Sequence, residues 1–405
     1  MTRYLLFNIL NSNMKSSKLA FILKKLWNRF FEIEKTLRYF LIESLISLQN
    51  KHVNPNTLLL VRFDGIGDYI LFRNFIEEIK KSKRFAGYSI TLCCNNNYRE
   101  IAESFDQNLI KDFIWINTTN FRNNISYRLN KLKEIHNRAF EVVLNPVYSR
   151  ISLNEDSVVR ASKASHKIGM QGDCLYSSSL ERMIYNRYYS QLITIDPNNY
   201  FEFYRNKEFF GNVLQTNISL QKPLLPRLKR ISINNKYSVI CPFAQYNYRK
   251  WSLQNYIQVA DYLHNKYHLK SIFVGSIKDN ISEHENRLIT GREHIINYIG
   301  KNSLVQTISI IQNAFIIISN DTGLAHIGAI SKIPVVVVSN GNHYGRFTEY
   351  PKELGVKVLY AYPPQLINSK LSFSELVQKY QYRSDLDINT IGVEMVFPLI
   401  DSLLK

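Results

Sequence analysis

Ser319-Asn320-Asp321-Thr322-Gly323-Leu324-Ala325-His326 follows an apolar, β-branched run from Phe315 to Ile318 and leads through small residues to Ile333-Pro334-Val335. That order reads as strand, polar turn, helix and a further strand. Asp321 or Thr322 is expected to cap the helix, and Gly323 to let the backbone come close to a ligand. The free N–H groups of a helix start attract anions, a diphosphate among them. His326, about one turn into the helix, would face the same anion. An ordinary capped helix of an α/β protein carries the same letters, so the octapeptide decides the fold class before it decides a function.

The surroundings extend the same alternation. Upstream, Tyr237 to Cys241 reads as a strand, Leu253 to Tyr267 as a helix, Ser271 to Val274 as a strand and Ser303 to Asn313 as a helix. An earlier set begins with a buried strand over Thr57 to Phe63 and a helix over Tyr69 to Lys81. It continues through strands at Ser89 to Cys93, near Asp112 to Ile116 and at Glu141 to Leu144, with helices over Asn97 to Phe105 and about Ile125 to Asn137. Strands separated by helices argue for parallel sheets. Ser157 to Gln221, rich in Tyr, Arg and Asn, has weak periodicity. Lys222-Pro223-Leu224-Leu225-Pro226 breaks regular structure and is the expected domain linker. The reading is α/β, with two Rossmann-like domains facing a cleft at 53–222 and 227–385. A helix in the last twenty residues, 386–405, is expected to cross back to the first domain.

Residues 1–52 form a basic extension. Leu19, Ile22, Leu23, Leu26, Phe30, Ile33, Leu37, Phe40, Leu41, Leu45 and Leu48 recur at helical spacing among Lys18, Lys24, Lys25, Arg29, Lys35 and Arg38. Such an amphipathic helix suits an anionic membrane surface, and equally suits packing on the protein's own core. No run of about 18 apolar residues would span a bilayer. Tyr4-Leu5-Leu6-Phe7 is too short for the apolar core of a secretory signal. Cys93, Cys94, Cys174 and Cys241 show neither a disulfide framework nor metal-type spacing. The chain is therefore expected in the cytoplasm, peripheral on the inner face of the inner membrane if the extension meets lipid. With 51 basic against 33 acidic residues the net charge is +18, a field that attracts nucleotide sugars, phosphorylated glycans, anionic lipid or nucleic acid.

Two further segments carry chemistry. Arg62-Phe63-Asp64-Gly65-Ile66-Gly67-Asp68 follows the first strand, at the carboxyl end where open α/β sheets bind ligands. Gly65 and Gly67 make a tight, approachable turn, but Leu71-Phe72 stand where a dinucleotide fingerprint needs a small residue. Asp68 near a helix start stays ionised, which suits a base taking a proton from a sugar hydroxyl, or a simple cap. Cys241-Pro242-Phe243-Ala244 and Tyr248-Arg249-Lys250-Trp251-Ser252 place two cations on a loop after a strand. Cations there can neutralise a departing diphosphate. No Asp-x-Asp metal motif sits in a loop suited to it.

These three segments together resemble the heptosyltransferase-like glycosyltransferases, family 9, of bacterial surface-polysaccharide synthesis. The opening strand and Gly-Asp loop are similar from Leu58 through Asp68, and the middle pattern from Val239 through Tyr256. The Asp-Thr-Gly-x-x-His signature stands intact at Asp321 to His326. The resemblance implies a GT-B fold, an acceptor site in the N-terminal domain and a nucleotide-sugar site in the C-terminal one. It implies an inverting, metal-independent transfer with Asp68 as general base and no cofactor. Arg249 and Lys250 would contact the donor phosphates. The Thr322 and Gly323 amides, Asp321 and His326 would hold the diphosphate, and Asp279 the ribose. The donor first suggested is ADP-heptose, and the acceptor a lipopolysaccharide or other surface glycan. Two readings compete with it: a basic nucleic-acid-binding protein, whose binding would be steeply salt-dependent, and a non-catalytic sugar-nucleotide scaffold of the same fold.

Overall fold

The computed structural model describes residues 34–46 and 52–405, apart from 232, 234, 235 and 280. The expected long N-terminal helix therefore lies mostly outside the described residues. Within them, 34–46 is helical and is labelled α1.

Two six-stranded sheets follow, each wholly parallel. The first contains β1 (Asn54–Arg62), β2 (Ser89–Asn95), β3 (Asp112–Ile116), β4 (Phe140–Asn145), β5 (His166–Met170) and β6 (Gln191–Ile193). Its order is β3-β2-β1-β4-β5-β6. The second contains β7 (Tyr237–Cys241), β8 (Lys270–Phe273), β9 (Ile295–Asn297), β10 (Ile316–Asn320), β11 (Val335–Val338) and β12 (Val358–Ala361), in the order β12-β11-β10-β7-β8-β9. Counted from its own first strand, the second sheet repeats the order of the first. Each is a doubly wound sheet whose strand order reverses once, between β1 and β4 and between β7 and β10. Ligands of such sheets bind at that switch point, beyond the carboxyl ends of the strands.

The sequences of the central strands fit that burial. Leu58 to Val61 and Ile316 to Ile318 are continuous apolar runs with both faces covered, as parallel strands require. The helix expected over Tyr69 to Lys81 is two helices, α2 (Ile66–Phe72) and a second over Phe75–Lys81. The break falls where Arg73 turns inward to Asp106 (2.6 Å) and Asn74 accepts the Leu224 N–H (2.8 Å). The stretch that sequence periodicity left open holds β5, β6, short helices and α3 (Glu202–Leu214). Residues 222–226 have no helix or strand, and both sides hold them: Arg73 donates to the Leu224 carbonyl, and Gln312 to that of Pro226. The octapeptide opens α4 (Gly323–Ile330) after β10.

The last helix, α5 (Val393–Leu404), does not cross back. Val396 and Ile400 are buried with Ile240, Phe273 and Val336 in the core of the second sheet. Its apolar face matches that sheet's outer surface, and Tyr262 stacks on Phe397 at 4.0 Å.

Candidate active site

The site is built where the two switch points meet. β1 ends in Arg62, whose side chain is wholly buried. Its Nε donates to Asp64 Oδ1 (2.8 Å), and its terminal nitrogens to Glu202 Oε1 (3.1 Å), Asn206 Oδ1 (3.1 Å) and the Pro146 carbonyl (3.2 Å). Asp68 occupies the third position of α2 and reaches back to accept the Gly65 N–H (3.1 Å). The capping role and an exposed functional face coexist in this one carboxylate. Oδ2 caps, Oδ1 lies 3.9 Å from Arg62, and the side chain keeps 18% of its surface open. Burial first, and then the nearby Glu202 charge, raise the Asp68 carboxyl above its ordinary value. Arg62, Arg346 and the Gly65 N–H pull the other way. Burial likewise holds Asp64 well up, and its Oδ2 has no partner.

Asp64, Asp68 and Glu202 bring carboxylate oxygens within 4.8 Å of one another, a spacing that could hold a cation. Here the Arg62 guanidinium already bonds two of the three, and Arg346 Nε bonds Glu202 Oε2 at 3.1 Å. Two fixed guanidinium groups, those of Arg62 and Arg346, offset part of the negative charge of the trio.

On the second domain, Asn320 ties the end of β10 to the β7 loop, donating to the Pro242 carbonyl (2.7 Å) and accepting the Trp251 N–H (3.0 Å). Asp321 is turned away from the helix start and pairs with Arg249 (2.6 Å). Thr322 stands at the N-cap of α4 but makes no side-chain cap; its hydroxyl lies 3.3 Å from that of Ser319. Neither expected cap is therefore made. Asp321 is held by the stronger, charge-assisted partner, which leaves the start of α4 without a side-chain hydrogen-bond cap.

The close approach that Gly323 permits is to the other domain. A Cβ at Gly323 would lie 2.8 Å from the Ile66 side chain and 3.1 Å from the Gly67 nitrogen. One at Gly67 would lie 2.7 Å from His326 Cδ2. The two loops thus press helix start against helix start. His326 packs under Gly67, and its Nδ1 hydrogen-bonds the Tyr350 hydroxyl (2.7 Å). Burial lowers its pKa to about 4, so at neutral pH it is an uncharged imidazole. His343 is brought to about 4 in the same way, with Arg249 and Arg346 adding to the effect.

The remaining expected residues fall along the carboxyl ends of β7 and β8. Lys250 lies near Asp279 and Glu285; hydrogen bonds from Ser282 chiefly lower Glu285, to which the Lys250 charge adds, and the same charge opposes the rise that burial gives Asp279. Asp279 accepts the Ser276 N–H (2.6 Å) beside Gly275 and Phe243, and burial raises it against that bond and Lys250. Tyr246 and Tyr248 stack on the same loop with exposed rings 5.5 Å apart. The structure thus joins Asp68 to the Gly323 and His326 loop, Arg249 to Asp321, and Lys250 to the Asp279 side.

Sequence reading missed Glu202 and Arg346. Glu202 opens α3 inside the illegible stretch. Arg346 follows Ser339-Asn340-Gly341-Asn342-His343-Tyr344-Gly345, where Gly341 and Gly345 have φ of +85° and +75°. A loop of Gly, Asn and His at the carboxyl end of a parallel strand was a signal that the switch-point rule could have used.

Two doubly wound domains with a carboxylate loop facing an Asp-Thr-Gly-x-x-His loop define a GT-B-type α/β protein. Residues 129–357 match glycosyltransferase family 9 (heptosyltransferase), and the chain belongs to that family. A family 9 glycosyl transferase from Veillonella parvula DSM 2008 superposes with a TM-score of 0.65 at 16% identity, covering 88% of this chain and 99% of that one. E. coli heptosyltransferase WaaC, solved with ADP, gives 0.60 at 14% identity, covering 86% and 99%. At those identities the likeness is one of fold. Lipooligosaccharide heptosyltransferase 2 of Haemophilus influenzae is 29% identical over 102 residues, which span 24% of this chain and 29% of that relative's length.

Proposed function

We propose that the protein is an inverting glycosyltransferase that moves a sugar from a nucleotide sugar to a lipopolysaccharide or other surface-glycan acceptor, without a metal. Heptose from ADP-heptose is the first candidate donor, and the similarity to the heptosyltransferases of E. coli and Haemophilus influenzae motivates that choice. The carrying observation is Asp68, a partly open carboxylate of raised basicity set against the second domain's diphosphate-type loop.

In this reading the acceptor hydroxyl gives its proton to Asp68 as its oxygen bonds the anomeric carbon. The bond from that carbon to the diphosphate breaks on the opposite face, and the configuration inverts. Negative charge grows on the leaving diphosphate. The uncapped start of α4 and Lys250 are suited to stabilise it, and Asp279 is suited to accept from the ribose. Arg249 reaches the phosphates only by sharing its charge with Asp321. His326 acts as a neutral hydrogen-bonding and packing group. Metal independence is supported by the Arg62 and Arg346 guanidinium groups, which already occupy Asp64 and Glu202 of the acidic trio.

The membrane surface is the proposed place of work, at the inner face of the inner membrane. Leu37, Leu41 and Leu45 are exposed along one side of α1, which supports that placement. The reaction is tested with purified protein and a panel of nucleotide sugars, read by thermal shift and then by transfer. Asp68→Asn is expected to lower transfer by about 10²-fold or more while donor binding persists. Undiminished transfer would remove Asp68 as the base. No shift with any nucleotide sugar, with salt-sensitive nucleic-acid binding instead, would overturn the function.

A further inference from the structure

Among the described residues of the site, Glu202 is the carboxylate whose hydrogen bonds reach both domains. Its own N–H donates to the Arg346 carbonyl (3.0 Å). Its Oε1 accepts from Arg62 and its Oε2 from Arg346, each at 3.1 Å. All three side chains are almost wholly buried. Arg346 comes from the loop after β11 and donates also to Ser149 (2.6 Å), on the loop after β4. Arg62 continues the chain: the nitrogen that bonds Glu202 lies 3.5 Å from the Asp68 carbonyl and 3.9 Å from its carboxylate. An unbroken sequence of charge-assisted contacts thus runs from Arg346 in the second domain through Glu202 and Arg62 to Asp68.

We propose that Glu202 is a positioning residue of the transfer site, making the seating of the second domain's loop a condition for the placement of Asp68. This rests on the reading of Asp68 as the base. A neutral side chain at 202 cannot hold two guanidinium groups, so Arg62 loses one anchor and the 341–350 loop its side-chain tie to α3, leaving only the backbone bond from residue 202 to the Arg346 carbonyl. The groups facing Asp68 are Arg62 on β1, Asp64 on its own loop, Glu202 on α3 and Arg346 on the opposite loop. Tyr176 and the neutral His326 complete the set. Among them Glu202 raises Asp68, so removing its charge lets the Asp68 pKa fall. The base then stays ionised to lower pH.

Hydrogen–deuterium exchange on the full chain tests the mechanical half without any substrate. Glu202→Gln is expected to speed exchange in 64–72 and 341–350 by several fold and to leave β7 and β10 unchanged. Unchanged exchange in both segments overturns the proposal. If the whole fold loosens instead, Arg346→Met decides: acceleration confined to those two segments supports the latch, and its absence overturns it. With a donor in hand, Glu202→Gln should cost roughly 10²-fold in kcat, on the scale of a misplaced catalytic group. The acid limb of its pH–rate profile should move to lower pH, with Glu202→Asp partly restoring both. Lost rate with an unmoved limb overturns the link to Asp68. Failure of the base itself is read separately, from Asp68→Asn.

Discussion

At the scale of residues, the site depends on two side chains that are absent. Gly67 and Gly323 let two helix starts meet, and each would place a methyl group well inside contact distance of the other domain. Neither glycine is needed for backbone conformation, since the positive-φ glycines lie elsewhere, so the constraint is steric. At Gly323 the nearest atoms include the Gly67 nitrogen, a backbone atom that cannot rotate away. Gly323→Ala is therefore expected to force the loops apart, at about 1–3 kcal/mol of stability for overpacking. Transfer should fall with it, because Asp68 follows Gly67 by one residue. Urea denaturation measures the first effect and initial rates the second. Gly87→Ala is the control, because nothing lies within 4 Å of a Cβ there. Native stability and native rate in Gly323→Ala would mean that the contact is not needed.

At the scale of elements, α1 is held by charge as much as by apolar packing. Glu43 is fully buried between Arg128 and Arg160, with the Tyr185 hydroxyl on Oε2 at 3.2 Å. Tyr39 donates to the Arg122 carbonyl (3.1 Å), and Ile46 enters the core beneath β1. Glu43→Ala leaves two buried guanidinium groups without their carboxylate and is expected to cost about 3–5 kcal/mol. A urea midpoint unchanged from native would show that α1 is not bonded to the domain through this group. Such networks also explain what could be read from the sequence. Asp112 to Ile116, Tyr237 to Cys241 and Leu253 to Tyr267 were legible because apolar spacing alone forms them. The octapeptide placed its strand and helix correctly for the same reason. The break at Arg73, the elements between 157 and 221, and the Glu202–Arg346 pair depend on buried charges meeting distant partners. Glu202 and Arg346 lie 144 residues apart, and no local pattern encodes that distance. Asp321 failed as a cap on similar grounds, because Arg249, 72 residues away, competes for it.

At the scale of the molecule, the two sheets share one strand order, and the loops at their switch points meet through Gly67 and Gly323. Among the described residues, the outer side of α1 is left uncovered. Leu37, Leu41 and Leu45 are 59%, 64% and 68% exposed, while Tyr39, Glu43 and Ile46 fill the inner side. Core packing accounts for the inner set and leaves the leucines unexplained. Spaced four residues apart, they form one ridge, and the +18 charge favours an anionic surface beneath it. Entering a lipid interface would remove part of each leucine from water, at about 1 kcal/mol apiece. Changing all three to serine should therefore weaken binding to phosphatidylglycerol-containing vesicles by about 3 kcal/mol, roughly 10²-fold. The inner face is untouched, so urea stability should hold. Co-sedimentation of native and triple-variant protein at low and moderate salt separates the contributions, since screening weakens attraction by charge and spares apolar insertion. Equal binding of the two proteins, lost together as salt rises, would assign the membrane to charge alone and leave the leucine ridge without a part in it.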